Sequence, residues 1–233
     1  MKKIFAVVLV VVMAMALATT AFADQVTADK TYEGGIVVDG SSSWNTAGSG
    51  ETFLITANGV TVTFENEPFV RDTENWSNFV FETIATDGTK GITLRADAFG
   101  WTYGDGSEPT YAVTTSWGDD WAAFKEAAPG KVELTAKKTD ANTVVFNIAF
   151  ENGATEVYTV TYPDGAPEEL YFQVGADGGK ITLQSAVFGG ANTGDNSGDQ
   201  PGDDEAGKTG FATIALAVVA VSSGAYVVSK KRH

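Results

Sequence analysis

Gly91-Ile92-Thr93-Leu94-Arg95-Ala96-Asp97-Ala98-Phe99-Gly100-Trp101-Thr102-Tyr103-Gly104-Asp105-Gly106 lies near the middle of a chain of 233 residues. Side chains on an extended strand alternate between its two faces. Ile92, Leu94 and Ala96 therefore point one way, and Thr93, Arg95 and Asp97 the other. One face is oily and belongs against a core. The other carries opposite charges that lead on to Gly100, Trp101 and Tyr103. The stretch predicts a sheet with one buried face and one face that displays aromatic and polar groups together.

The segments around it read the same way. Trp76 to Ile84 alternates, with Phe79 and Phe81 on one face and Trp76, Asn78, Val80 and Glu82 on the other. A turn at Asp87-Gly88 separates it from the strand centred on Arg95, and pairing of the two would bring Glu82 near Arg95. Downstream, Trp117-Gly-Asp-Asp120-Trp121-Ala-Ala-Phe124 predicts a short helix. Asp119 or Asp120 caps its start, and Pro129-Gly130 stops it. Trp121 and Phe124 share a face of that helix.

Three strands then form a meander. Val132, Leu134 and Ala136 are expected inside on the first, and Val144, Phe146, Ile148 and Phe150 on the second. Asn152-Gly153 turns the chain into the third, Glu156 to Tyr162. Thr52 to Thr56 and Val60 to Phe64 flank Ala57-Asn58-Gly59 and predict another hairpin. Gly35 to Asp39, Glu169 to Val174 and Ile181 to Phe188 supply further strands. Trp44 falls in a Ser-rich loop. Residues 24–190 thus read as one all-β domain, a jelly-roll-like β-sandwich with one short helix.

The ends carry different signals. Met1-Lys-Lys, an apolar run from Ile4 to Ala18, and Ala21-Phe-Ala23 make a secretory signal peptide over 1–23. Residues 191–210 are rich in Gly, Asp and Asn and predict a self-repelling tether. Residues 211–228 are apolar and near the minimum length for a transmembrane helix, and 229–233 form a basic cytoplasmic tail. Thr209-Gly210 before that run resembles a Gram-positive sorting signal, with Thr209 as the attachment residue. Ala206-Gly207 stands where such a signal has Leu-Pro. The domain is therefore expected on the outer face of a cell, held by membrane or wall.

Composition excludes several chemistries. The chain has 15 basic and 30 acidic residues, a net charge of −15. Five of the basic residues (Lys2, Lys3, Lys230, Lys231 and Arg232) sit in the terminal segments, where no acidic residue does, so the exported portion is more acidic still. Such a surface repels phosphate backbones, and nucleic acid is not expected as a partner. The chain has no cysteine and one histidine, His233. A Ser-His-Asp triad and histidine-ligated zinc are therefore unavailable to the exported part. No closely spaced Glu-x-Asp-x-x-Glu motif of the sandwich-fold glucanases occurs, and a non-catalytic role is expected. Asp105, Glu108, Asp119 and Asp120 lie in loops and offer oxygen ligands, so calcium is a candidate ion, although no EF-hand loop is present.

Asn75-Trp76-Ser-Asn78-Phe79, Leu94-Arg95-Ala-Asp97-Ala-Phe-Gly100-Trp101 and Trp117-Gly-Asp-Asp-Trp121-Ala-Ala-Phe124 together resemble the carbohydrate-binding β-sandwich domains appended to bacterial glycoside hydrolases. The likeness covers about Thr63 to Phe188, and Arg95 to Trp101 is its most distinctive part. It implies a polysaccharide partner, surface-anchored enzymes as companions, and ligand contacts near Trp76, Arg95, Asp97 and Trp101. The residues support it chemically. Indole and phenol rings lie against the axial C–H face of a pyranose, and carboxylates, amides and arginine bond its hydroxyls. Trp76, Trp101, Tyr103, Trp117 and Trp121 supply rings, and Asn78, Glu82, Arg95 and Asp97 supply polar groups. A neutral glycan, starch-like or β-glucan, suits the acidic surface. The same sandwich edge suits a structural or protein-binding adhesin as the alternative, and a glycoside hydrolase using a carboxylate pair such as Glu82 and Asp97 is the third reading.

Overall fold

The computed structural model describes residues 24–41, 46–68, 77–102 and 108–189. The expected signal peptide, tether, transmembrane segment and basic tail lie outside the described residues, as do Trp44, Trp76, Tyr103, Asp105 and Thr209. No helix among the described residues is long and apolar enough to cross a membrane.

In chain order the strands are β1 (Asp24–Val26), β2 (Lys30–Asp39), β3 (Thr46–Gly48), β4 (Glu51–Leu54), β5 (Val60–Glu67), β6 (Asn78–Ala85) and β7 (Lys90–Arg95). They continue with β8 (Phe99–Thr102) and β9 (Thr110–Thr115), the helix α1 (Trp121–Ala127), then β10 (Gly130–Lys138) and β11 (Thr143–Phe150). β12 (Thr155–Thr161), β13 (Leu170–Asp177) and β14 (Lys180–Phe188) complete them. Two sheets result. The first runs β1-β4-β13-β6-β7-β8, with β3 also on β13, and the second β2-β14-β5-β10-β11-β12-β9.

The core lies between the sheets and is built by strict alternation. Phe79, Phe81, Leu94, Phe172 and Val174 face inward from the first sheet, and Phe64, Leu134, Phe146, Ile148 and Tyr158 from the second, none more than 1% exposed. Aromatic pairs stitch the layers: Phe64 and Phe79 at 4.9 Å between ring centroids, Phe81 and Phe146 at 5.0 Å, Phe146 and Phe172 at 5.7 Å. Each such side chain contributes roughly 1.5–3 kcal/mol by leaving water. The expected meander forms, with Val132 opposite Phe150 and Phe146 opposite Tyr158. Asp120 caps α1 by accepting from the Ala122 and Ala123 N–H groups, and Phe124 and Ala127 are its buried residues.

Three expectations fail. Ala57-Asn58-Gly59 does turn the chain, with Gly59 N–H on Thr56 C=O at 3.2 Å, but it joins the two sheets instead of closing a hairpin. β4 has β1 and β13 at its edges, and β5 has β10 and β14, so neither edge is left for the other. An Asn-Gly pair is a local signal and does not say which sheet receives the next strand. The second failure is the long strand through Asp97, because β7 ends at Arg95 and the chain reverses into β8. The third is the Glu82–Arg95 proximity. β6 and β7 do pair, but Glu82 stands opposite Thr93, and Arg95 opposite Val80.

Phe146 packs against the rings of Phe81 and Phe172 on the opposite sheet, so Phe146→Ala is expected to cost about 3–5 kcal/mol in equilibrium urea unfolding. A loss under about 1 kcal/mol would contradict this packing.

Candidate functional site

The outer face of the first sheet is shaped by one reversal. After Arg95 the chain turns through Ala96-Asp97-Ala98, and Ala98 (φ 62°) is the only non-glycine among the described residues with positive φ. β8 returns with Phe99 opposite Arg95 and Trp101 opposite Thr93. Residues directly opposite one another point the same way, so Phe99 and Trp101 join Arg95 and Thr93 on the outer face. Gly100 takes the inward position between them. A Cβ there would stand 2.7 Å from Leu94 Cδ2 and 3.1 Å from Tyr111 Cε1, so only glycine lets β8 lie this close.

β12 holds the turn from across the sandwich. Glu156 Oε1 accepts the Ala98 N–H at 2.7 Å, and the Tyr158 hydroxyl donates to Arg95 C=O at 2.5 Å. Glu156 is wholly buried, and its Oε2 has no hydrogen-bond partner. Burial pushes the carboxyl up to about 8, reinforced by the Asp97 charge, while the bond from the Ala98 N–H and the nearby Tyr158 hydroxyl pull it down. On the outer side Arg95 is clamped by Asp97 (Nε to Oδ1 3.0 Å, Nη2 to Oδ2 2.5 Å) and by Asp177 (Nη1 to Oδ2 3.4 Å). Burial disfavours the guanidinium charge, but bonds and charge from the two carboxylates more than offset it and hold its pKa up.

Next to this frame a groove of about 210 Å³ crosses the strands, from Gly48 on β3 to Trp101 on β8. Val80, 4% exposed, and Gly175 lie along its base. Its polar groups are Gln173, Thr93 and the ion pair of Lys90 with Glu82, whose two carboxylate oxygens each lie 3.0 Å from Nζ. The Thr93 hydroxyl donates to Glu82 Oε2 at 3.4 Å. Gln173 packs on bare backbone at Gly48, where a Cβ would meet its Oε1 at 2.7 Å. At the β8 end Trp101 is half-buried, and Phe99, 51% exposed, lies 6.0 Å from it between ring centroids. Arg95 Cζ sits 5.5 Å from the Phe99 ring, close enough for a cation–π contact that fixes the ring. The result is an open aromatic ledge beside hydrogen-bonding groups.

The structure brings Glu82 and Trp101 together in the groove and sets Arg95 and Asp97 in its frame, both committed to each other. Asn78 is buried, with its Oδ1 on the Phe79 N–H at 2.8 Å and its Nδ2 unpartnered. Trp117 and Trp121 belong to another aromatic group. Trp117 lies 5.2 Å from Phe124 and 5.5 Å from Phe150, and Trp121 lies 5.0 Å from Phe124, so both close over the core beside α1. Of the candidate calcium ligands, Asp120 is spent as the helix cap, and Glu108 accepts from the Thr102 hydroxyl. Among the described residues no group of three acidic side chains could hold a metal ion.

Sequence reasoning passed over Phe99, Lys90, Thr93, Gln173 and Glu156. Phe99 stands two residues before Trp101 and shares its face on any extended strand, which was the signal for it. Glu156 had a clear signal, a charged residue in phase with the inward Tyr158 and Val160. Gln173 comes from a strand distant in sequence, and nothing local marks it.

No protein-family model matches the chain, and no curated protein matches it. Among solved structures it is similar to the metal-free form of lectin I-B4 from Griffonia simplicifolia, at 11% identity and a TM-score of 0.40. The overlap covers 68% of this chain and 88% of the lectin. A likeness so loose bears no weight here, and the groove stands on its own geometry.

Removing Arg95 leaves Asp97 and Asp177 facing each other with no cation between them. Arg95→Ala is expected to cost about 3–5 kcal/mol in urea unfolding. Lys90→Ala, which breaks a pair exposed on the lysine side, should cost less than about 1 kcal/mol. Equal losses in the two variants would show that the Arg95 frame does not carry the sheet.

Proposed function

We propose that this is a non-catalytic cell-surface protein whose outer sheet face holds a neutral polysaccharide, starch-like or β-glucan. The observation that carries the reading is the groove from Gly48 to Trp101 with the Phe99–Trp101 ledge at its end. A pyranose laid on the ledge stacks its C–H face on the indole. Its hydroxyls then reach Gln173, Thr93 and the Glu82–Lys90 pair, whose geometry is already set. The groove is smaller than the roughly 300–1,000 Å³ of a drug-sized cleft, and it is open, which suits a sugar or two of a longer chain.

Several features support the absence of bond cleavage. A glycosidase flanks the scissile bond with two carboxyls. The groove lining includes one, Glu82, and that one is ion-paired with Lys90. An aromatic contact of this kind contributes on the order of 1 kcal/mol, so one site binds weakly and many copies on one surface bind well. Export by residues 1–23 and anchoring through 211–228 or Thr209 would place those copies side by side. A structural or protein-binding adhesin remains the second reading and predicts no affinity for glycans.

Affinity electrophoresis of residues 24–190 through gels containing starch, xylan, β-glucan or mannan is expected to show retardation in a neutral-glycan gel, with no reducing sugar released. Trp101→Ala should abolish the shift while the far-UV circular dichroism is retained, and Trp117→Ala should leave the affinity intact. Retardation in none of the gels, or a shift unaltered by Trp101→Ala, would sink the proposal.

A further inference from the structure

We propose that Glu156 is the positioning residue of the groove, a buried carboxyl on the far sheet that latches the β7–β8 turn and makes the aromatic ledge sensitive to rising pH. The inference rests on the glycan reading for its biological meaning but not for its geometry. Ala98 is held at φ 62°, a conformation that a residue with a Cβ rarely adopts. Such a residue persists only where its surroundings over-determine it. Two bonds from β12 do so here, Glu156 Oε1 to the Ala98 N–H and the Tyr158 hydroxyl to Arg95 C=O. They grip the turn on both sides, and the first residue beyond it is Phe99. Where Phe99 and Trp101 point is therefore decided by a contact on the opposite layer.

The latch responds to protonation because of what surrounds it. Glu156 is wholly buried, its Oε2 lacks a donor, and the charged group nearest in effect is Asp97 from the turn. Tyr158 faces it from its own strand, with Tyr111 of β9 beyond, and both phenols stay neutral because burial raises their pKa. Arg95 faces Asp97 and Asp177 and is already committed to them. While Glu156 is protonated the turn is quiet. Ionisation places a second negative charge against Asp97 with no donor for Oε2, and an unpaired buried charge is costly. The turn is the element free to open and let water in. The sign follows from linkage. A carboxyl held near 8 in the fold and at its ordinary 4.5 when unfolded binds more protons folded than unfolded in that window. Stability therefore falls as pH rises from about 4.5 to about 8 and levels off above it.

Hydrogen–deuterium exchange of the full chain, read by mass spectrometry over residues 96–102, tests this without any glycan. Glu156→Gln keeps an acceptor for Ala98 and cannot ionise, and comparing the two proteins at one pH cancels the intrinsic rate. At about pH 4, below both pKa values, they are expected to exchange alike. At about pH 9 the wild type should exchange roughly tenfold faster in 96–102 while Glu156→Gln stays protected. Within the wild type the loss of protection, corrected for the intrinsic rate, should build up between about pH 4.5 and about pH 8 and spare residues 131–138 of β10, a comparison that needs no variant to fold. Equal exchange of the two proteins at the higher pH, or a wild-type change of the same size in β10, overturns the proposal. Gel retardation run in parallel separates the two ideas. Loss of retardation at high pH in the wild type alone supports both. No retardation at any pH removes the glycan reading and leaves the latch to be decided by exchange.

Discussion

A single carboxyl oxygen reaches from one sheet to the other, where Glu156 Oε1 meets the Ala98 N–H at 2.7 Å, and the outer face is arranged around that contact. Without the reversal it pins, the strand after Arg95 would continue and carry Phe99 and Trp101 away from the strands β6 and β13. With it, β8 lies back on β7, and the two rings stand over the same face as Glu82, Thr93 and Gln173. A short turn thus converts a linear sequence of aromatics into a two-dimensional surface.

Around that turn, stability and display are assigned to different residues. Arg95, Asp97 and Asp177 satisfy one another and sit at 10%, 4% and 20% side-chain exposure, so they brace the sheet and offer little to a ligand. Phe99, at 51% exposure, and half-buried Trp101 carry the opposite burden, apolar area kept in water where it contributes nothing to folding. Gly100 between them serves both sides, because its missing Cβ leaves room for Leu94 and Tyr111 within the core. The second sheet has no comparable ledge among the described residues. Its exposed large apolar side chains, Val37 and Val187, stand on different strands and face different partners.

Much of the frame was legible in the sequence because period-two alternation is a local property. Phe79 and Phe81, Leu94, and the inward sets of β10 and β11 all fell on the face assigned to them, and Asp120 capped the helix. What was not legible needs contacts between distant strands. Asn58-Gly59 marks a turn but not the sheet that follows it. Glu82 finds Thr93 and not Arg95 because it stands opposite Thr93, and the register shift between Glu82 and Ile84 sets Lys90 opposite Ile84, within reach of its carboxylate. Trp117 and Trp121 have the same composition cues as Trp101, yet they close over Phe124 and Phe150. Only the fold separates a tryptophan that lids a core from one that lines a groove.

The account therefore stands on one indole, Trp101, being open to a ligand while its neighbours in sequence are spent on packing. Oxidative footprinting of the tryptophans, with and without the retarding polysaccharide and read residue by residue by mass spectrometry, addresses this directly. Trp101 should be reactive alone and protected by glycan, with Trp117 and Trp121 unchanged between the two conditions. A Trp101 that is inert without ligand, or that reacts equally in its presence, would contradict the account.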